Sequence, residues 1–118
     1  MELLIKDRLY IPTFLPKENN FKQFNLKKEI LRKVAISDEE REEVGLKQIA
    51  DENRIEWDVN KDTPLVVDFS NDELEYLKSA CEQISDEQLP DDVWATIEKV
   101  YNAVVEQEKQ LKKAYSNL

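Results

Sequence analysis

The residues of this chain that could do chemistry are mainly carboxylates and one thiol. The segment Asp58-Val59-Asn60-Lys61-Asp62 has the side chains that open a helix–loop–helix calcium site. The match then fails, because Thr63 stands where glycine is required and Phe69 stands where a bidentate glutamate is required. We therefore interpret this segment as the polar exit of a strand, and we predict no metal site.

The other reactive groups lack the neighbours that catalysis needs. The chain has no histidine, which removes the commonest general base and the commonest transition-metal ligand. Its one glycine, Gly45, excludes a glycine-rich phosphate loop. The single cysteine, Cys81, falls on an apolar helical stripe, so we interpret it as a core residue. We predict no catalytic residue and no cofactor, and we expect a protein that is not an enzyme.

Charge is strongly segregated along the chain. Residues 37–98 hold 20 acidic and 5 basic side chains, although the net charge of the whole chain is only −9. Many of these carboxylates open predicted helices, where they offset the helix dipole without any partner. The group that helix capping does not explain surrounds a predicted β-hairpin. It consists of Asp51, Glu52, Glu56, Asp58, Asp62 and Asp68. We predict that these residues form an acidic face for a protein partner, because a surface of one sign selects partners electrostatically.

A basic face is expected on a predicted helix that Asn25 caps and that runs to about Ala35. Its apolar residues Leu26, Ile30 and Val34 recur at the spacing of one helical face. The outer face of the helix then carries Lys27, Lys28, Arg32 and Lys33.

Residues typical of helix ends and of strands define the remaining elements. Ser37 with Glu40 makes a capping box for a short helix, and Gly45 is suited to the helix end that follows. Strands are predicted over 46–50, over 54–59, where apolar and polar side chains alternate, and over 65–69, which is rich in valine and phenylalanine. The alternation of the second strand predicts that one of its faces is buried.

The ends of the chain are also expected to be helical. The first 16 residues predict either a short strand or a kinked helix, because Pro12 opposes a regular helix. Ser70 with Glu73 caps a later helix, and Pro90 opens the last one. Val93, Ile97, Val100, Val104 and Leu111 give the last helix an apolar stripe.

These elements predict an α+β fold in one domain, mostly helical, with a small antiparallel sheet of two or three strands. Residues 1–45 form the helical part, 46–69 the hairpin and third strand, and 70–118 an antiparallel helix pair. Three helices followed by a hairpin also match the layout of a winged helix, as an analogy of fold alone. In that layout the third helix would lie in the major groove of DNA. Because the predicted third helix is acidic, the DNA phosphates would repel it, and we expect no direct DNA binding.

The first 60 residues resemble small uncharacterised proteins carried by phages and prophages. The residues that carry the resemblance are Ile5-Lys6-Asp7-Arg8-Leu9, Leu15-Pro16-Lys17-Glu18-Asn19-Asn20-Phe21, Ile36-Ser37-Asp38-Glu39-Glu40, Gly45-Leu46-Lys47 and Arg54-Ile55-Glu56-Trp57. The resemblance implies no activity and no functional residues.

Three function classes follow from these observations. The first is an accessory protein of the phage or mobile-element type that acts through protein–protein contacts. The second is an inhibitor that mimics nucleic acid with its carboxylates, and the third is a winged-helix regulator. The single cysteine and the absence of an apolar run of about 20 residues predict a cytoplasmic protein with no membrane span. The sequence leaves both a monomer and a homodimer open.

Overall fold

The computed structural model describes the backbone of residues 1–49 and 54–116, and the side chains within those ranges up to residue 110. The fold is α+β and mostly helical, with short antiparallel strands and a terminal helix pair, as the sequence predicts. The elements in chain order are β1 (Glu2–Leu3), α1 (Ile5–Phe14), α2 (Phe21–Val34), α3 (Asp38–Val44), β2 (Lys47–Ile49), β3 (Arg54–Glu56), a 3₁₀ turn (Val59–Lys61), β4 (Leu65–Val66), α4 (Asn71–Gln83) and α5 (Asp91–Ser116).

The two predicted serine capping boxes are confirmed. At the start of α3 the Ser37 hydroxyl accepts a hydrogen bond from the Glu40 amide at 3.1 Å. At the start of α4 the Ser70 hydroxyl accepts one from the Glu73 amide at 3.2 Å. Gly45 ends α3 in the left-handed region, with φ 65° and ψ 40°. These boundaries depend on contacts within a few residues, which a local sequence pattern specifies completely.

The predicted start of α2 was wrong by five residues, since the helix was expected to be capped by Asn25 and is capped by Asn20. The helix begins at Phe21, because the Asn20 side chain accepts a hydrogen bond from the Gln23 amide and Gln23 Oε1 accepts one from the Asn20 amide. Asn25 lies inside the helix and donates its side-chain amide to the Phe21 carbonyl. The apolar stripe did not reveal the first turn because Phe21 lies off the buried face.

The strands form two separate sheets instead of one. β2 pairs with β3 as an antiparallel hairpin, in the register Gln48↔Ile55. β4 does not join the hairpin; it pairs with β1, which precedes the first helix, in the register Leu3↔Leu65. The strand predicted over 54–59 ends at Glu56, and Val59 lies in the 3₁₀ turn. This segment is also less buried than its alternation predicts, because the Ile55 side chain is 45% exposed and Val59 is 70% exposed.

The N-terminal segment contains both of the elements that the sequence left open. The short strand β1 leads directly into α1, and Pro12 lies within that helix. Proline lacks the amide that would bond to the carbonyl four residues earlier. Pro12 is close to the end of the helix, and α1 ends two residues later at Phe14.

The core lies where α1, α2 and the terminal pair α4 and α5 meet. Ile97, Val100 and Val104 of the predicted α5 stripe are buried, and Leu77 and Ala80 of α4 are fully buried opposite them. The side chain predicted for the end of the stripe, Leu111, lies outside the described side chains. Burial of this stripe against α4 confirms the predicted helix pair.

Candidate functional site

Two of the predicted acidic residues accept hydrogen bonds from backbone amides at the starts of other elements. Asp58 Oδ1 accepts a hydrogen bond from the Asn60 amide at 3.0 Å and thereby opens the 3₁₀ turn. The Asp62 carboxylate accepts from the Ile5 amide, at 3.1 and 3.3 Å, at the start of α1. A carboxylate at that position satisfies a free helical amide and offsets the helix dipole. These contacts explain part of the acidity of this region without a partner.

Other acidic residues near the hairpin point into solvent. Glu56 is exposed and pairs with Arg54 at 2.7 Å on the same strand. Asp68 is exposed, while its backbone carbonyl accepts a hydrogen bond from Lys33. Asp51 and Glu52 lie outside the described residues. Within the described ranges no group of three or more acidic or cysteine side chains is arranged to hold a metal ion.

The exposed end of the hairpin combines acidic and aliphatic side chains. Ile55, Glu56, Asp58 and Val59 lie within five consecutive residues, and all four are exposed; we call this group the hairpin surface. Trp57 between them is half-buried, and its indole Nε1 is buried without a hydrogen-bond partner among the described residues. The hairpin surface therefore has apolar area beside its charges, as protein interfaces commonly do.

The predicted basic face of α2 is divided between structural and exposed residues. The Lys33 ammonium donates to Glu73 Oε1 at 2.6 Å and to the Asp68 carbonyl at 2.9 Å, which fastens α2 to the start of α4. Its side chain is only 22% exposed. Arg32 forms an exposed ion pair with Glu29 on the same helix. These two cations are already bound to acceptors of their own chain.

The remaining two lysines of this face lie beside exposed aromatic rings. Lys27 Nζ donates to the Pro16 carbonyl at 2.8 Å, and Lys28 Nζ lies 5.7 Å from the centre of the Phe24 ring. Phe24 is 52% exposed, and Phe21 one turn earlier is 81% exposed. Phe21, Phe24, Lys27 and Lys28, together with Lys17 from the preceding loop, are called the α2 surface below.

Sequence reasoning missed the aromatic part of the α2 surface. At about 100° per residue, Phe21 and Lys28 lie opposite the buried stripe that contains Ile30 and Val34, and Phe24 lies to one side of that stripe. That offset could have been found from the sequence if the helix had been started at Asn20. A cavity of about 310 Å³ lies here, lined by Lys17, Asn19, Phe24, Lys27, Lys28 and Leu31.

Asp7 is a buried carboxylate that joins the two ends of the chain. It is 3% exposed, and Oδ1 accepts a hydrogen bond from the Thr96 hydroxyl at 2.8 Å. Oδ2 accepts from the Lys99 ammonium at 2.6 Å and from the Leu4 amide at 3.0 Å. Burial alone would raise the pKa of Asp7, but the hydrogen bonds from Lys99, Leu4 and Thr96 outweigh it and lower the pKa below its ordinary value. An ionised carboxylate with three donors fits a structural role.

Arg8 is buried at the junction of α1, α2 and α3. Its guanidinium donates to the Val34 carbonyl at 3.1 Å and to the Ala35 carbonyl at 2.6 Å, which satisfies the C-terminal end of α2. The same group donates to both carboxylate oxygens of Glu40, at 2.5 and 3.0 Å. The Arg8 hydrogen bond lowers the pKa of Glu40 to about 2. Ser37, which caps α3, also hydrogen-bonds to the Glu40 carboxylate.

Cys81 is buried between the two terminal helices. Its thiol is 5% exposed and lies 3.9 Å from the Ile97 carbonyl. Burial raises the pKa of Cys81 to about 11, so the thiolate is a negligible fraction at neutral pH. A cavity of about 530 Å³ adjoins it, lined mainly by apolar surface from Trp94, Ile97 and Tyr101. The geometry fits the core role that the sequence predicts.

A further cavity, of about 720 Å³, lies between the end of α1 and the connection from α4 to α5. Phe14, Leu15, Ile84, Leu89 and Val93 supply its apolar wall. Lys17, Glu18 and Glu87 are its charged lining residues. This wall has no nucleophile paired with a base, so it offers no arrangement for acyl or phosphoryl transfer.

Within the described part of the chain, no helix is both long enough and apolar enough to cross a bilayer. Comparison of the chain with protein-family models, with curated proteins and with solved structures finds no match.

Proposed function

We propose that the chain is a non-enzymatic accessory protein, of the phage or mobile-element type, that acts by binding another protein at the hairpin surface. The observation that carries this proposal is the exposure of two aliphatic residues in a strongly charged region: Ile55 is 45% and Val59 is 70% exposed. Exposed aliphatic side chains lose contact with water when a partner covers them, and that supplies binding energy. The carboxylates beside them restrict which partners can approach.

The chemistry of the hairpin surface specifies a partner with basic and apolar groups. Glu56 and Asp58 would pair with lysine or arginine, while Ile55 and Val59 would pack into an apolar depression. Opposite charges accelerate association and are screened by salt, whereas apolar contacts mainly slow dissociation. We therefore expect the association rate to fall as salt is raised, with a smaller change in the dissociation rate.

The test compares a variant of the hairpin surface with a control variant elsewhere on the molecule. A tagged chain captures partners from extracts of its source cells, and each candidate is then purified and its affinity measured by calorimetry. The variant Ile55→Ser with Val59→Ser should bind at least about tenfold more weakly, because two apolar anchors are lost. Val66→Ser is the matched control, since Val66 is 66% exposed but lies on β4, outside the hairpin. Equal affinity of the hairpin variant and the control for every captured partner would refute the proposal.

The two other function classes fit the geometry less well. A nucleic-acid mimic needs whole rows of exposed carboxylates, whereas the Asp62 carboxylate is half-buried and accepts from the Ile5 amide. A winged-helix regulator would place α3 against DNA, and the first turn of that helix is Asp38-Glu39-Glu40. Three carboxylates there would repel phosphates, on which DNA affinity depends.

A further inference from the structure

We propose that the α2 surface is the docking site for the hairpin surface of a second copy of this chain. This inference rests on the proposed function of the hairpin surface and names one partner for it. The contact would be head-to-tail, with aromatic and basic residues of one copy covering aliphatic and acidic residues of the other.

The α2 surface has the apolar exposure of a docking site. Phe21 is 81% exposed, the largest exposure among the large hydrophobic side chains of the described residues, and Phe24 is 52% exposed. The cavity of about 310 Å³ beside Phe24 gives the surface a depression into which an aliphatic side chain can insert. Neighbouring phenylalanines that remain this exposed mark an interaction site more often than an ordinary surface.

The two surfaces are complementary in charge and in apolar content. Two lysines of the α2 surface, Lys17 and Lys28, are exposed, and the third, Lys27, is half-buried and bound to the Pro16 carbonyl. The hairpin surface holds the exposed carboxylates of Glu56 and Asp58. Each surface also exposes two large apolar residues. Matching charges at the rim of an apolar contact favour the correct partner and orientation. The chain therefore carries both halves of one possible interface.

One copy cannot bring its own two surfaces together. Both are exposed in the same molecule, so neither covers the other. The α2 surface lies in the first half of a 14-residue helix, whereas the hairpin is reached from the other end of that helix through α3. At about 1.5 Å per residue, Phe21 and Lys33 are about 18 Å apart along the axis. The contact therefore requires a second molecule.

A second copy fits the α2 surface better than a polyanion does. A polyanion would form few contacts here, because only a few lysines would be neutralised by its phosphates. The hairpin surface supplies aliphatic side chains for Phe21 and Phe24 as well as carboxylates for the lysines. Since only a handful of side chains is involved, the interface belongs at the small end of the size range and should be weak.

The experiment measures the mass of the purified full chain by sedimentation velocity. The wild type is examined from about 10 µM to about 1 mM, the range over which a small interface associates. We expect the average mass to rise above the monomer value of 13.9 kDa with concentration, and to fall back when salt screens the charges. Two double variants are compared: Phe21→Ser with Phe24→Ser, and Ile55→Ser with Val59→Ser. Each should weaken self-association at least about tenfold.

Mixing the two double variants gives the sharpest readout. Each lacks a different surface, so a mixture still contains one intact α2 surface and one intact hairpin surface, and it should form a one-to-one complex. Circular dichroism checks that each variant is folded, which the exposure of all four side chains favours. Val66→Ser should associate like the wild type.

Three outcomes would overturn the inference. They are a wild type that stays monomeric at every concentration, association that neither double variant weakens, and a mixture that does not form a complex. A labelled single-stranded oligonucleotide that binds the wild type but not the Phe21→Ser, Phe24→Ser variant would instead assign the α2 surface to nucleic acid. Because the sedimentation assay contains this chain alone, its failure leaves capture of another protein at the hairpin surface as a separate test.

Discussion

Replacement of Asp7 by alanine should destabilise the fold far more than loss of an ordinary surface ion pair. The substitution removes the acceptor of three donors. The Thr96 hydroxyl is 1% exposed, so an unpaired hydrogen-bonding group there costs about 1–3 kcal/mol. The Leu4 amide, in a residue 36% exposed, loses its bond at a cost of about 1 kcal/mol. Lys99 has a side chain 40% exposed and can turn into water, so its contribution is at most about 1 kcal/mol.

Together these losses amount to about 3 kcal/mol, a large share of the 5–15 kcal/mol that holds a typical domain together. For a chain of this size, the loss corresponds to a fall in Tm of about 10 °C. The assay is urea unfolding at pH 7, followed by tryptophan fluorescence and by circular dichroism. The free energy of unfolding is taken from the midpoint with an unchanged slope.

A second ion pair between the same two helices provides the control. Lys6 of α1 and Asp92 of α5 are 3.9 Å apart, but the Asp92 side chain is 74% exposed. Asp92→Ala should change the free energy of unfolding by less than about 1 kcal/mol, since it removes an exposed ion pair and one of two carboxylates that offset the dipole of α5. The reasoning is refuted if Asp7→Ala costs less than about 1 kcal/mol, or no more than Asp92→Ala does.

Three further predictions concern a titrating pair, a backbone position and the thiol. The pKa of Glu40 is lowered from 4.5 to about 2, so its pairing with Arg8 stabilises the fold above pH 4.5 and loses this effect as pH falls to about 2. The Glu40 side chain is 37% exposed, so solvent screens part of this pairing, and Glu40→Gln should cost about 1 kcal/mol of unfolding free energy at pH 7. Near pH 2 the same substitution should cost almost nothing. Urea midpoints measured at both pH values would contradict this prediction if the cost were the same at each. Gly45→Ala should cost about 1 kcal/mol in the same unfolding assay, because alanine is strained at a φ of 65°. The cost comes from the backbone alone, since no atom lies within 4 Å of the added methyl group. An unchanged midpoint would show that the left-handed conformation is not required. Cys81 should react with an aromatic disulfide reagent at neutral pH no faster than the chain unfolds, because the thiol is buried and its pKa is raised to about 11. Rapid stoichiometric labelling of the folded chain would contradict this prediction.

The sequence predicts best the features that depend on neighbouring residues. The boxes at Ser37 and Ser70 and the left-handed Gly45 are local patterns, and all three are confirmed. The α5 stripe is also readable, because burial of Val100 and Val104 follows from helical spacing. Where a single contact over three or four residues fixes the conformation, sequence reasoning is sufficient.

Features that depend on distant contacts were not predictable in the same way. The pairing of β4 with β1 crosses more than 60 positions, and no pattern in either two-residue strand specifies its partner. The strand alternation predicted that Ile55 and Val59 would be buried, but no element of the described chain covers them. Asp7 and Arg8 look like ordinary surface charges in a sequence, because their partners are far away along the chain.

The candidate surfaces were predicted only in part. The charged residues of the hairpin could be read directly, but which of them face solvent depends on the helix starts that Asp58 and Asp62 serve. The basic residues of α2 were identified, while the aromatic residues beside them were missed. That error followed from placing the helix start at Asn25 instead of Asn20.

The bond between α1 and α5 has a consequence for the order of folding. Two of the donors that bind the Asp7 carboxylate, Thr96 and Lys99, lie 89 and 92 positions later in the chain. While the chain is being synthesised, α1 can form, but this carboxylate must stay in water until α5 has emerged from the ribosome. The final docking step is therefore slow relative to helix formation, because a long loop must close first. A nascent chain that stops before Thr96 would lack the Thr96 and Lys99 donors of Asp7, so the face of α1 that packs on α5 would remain in water.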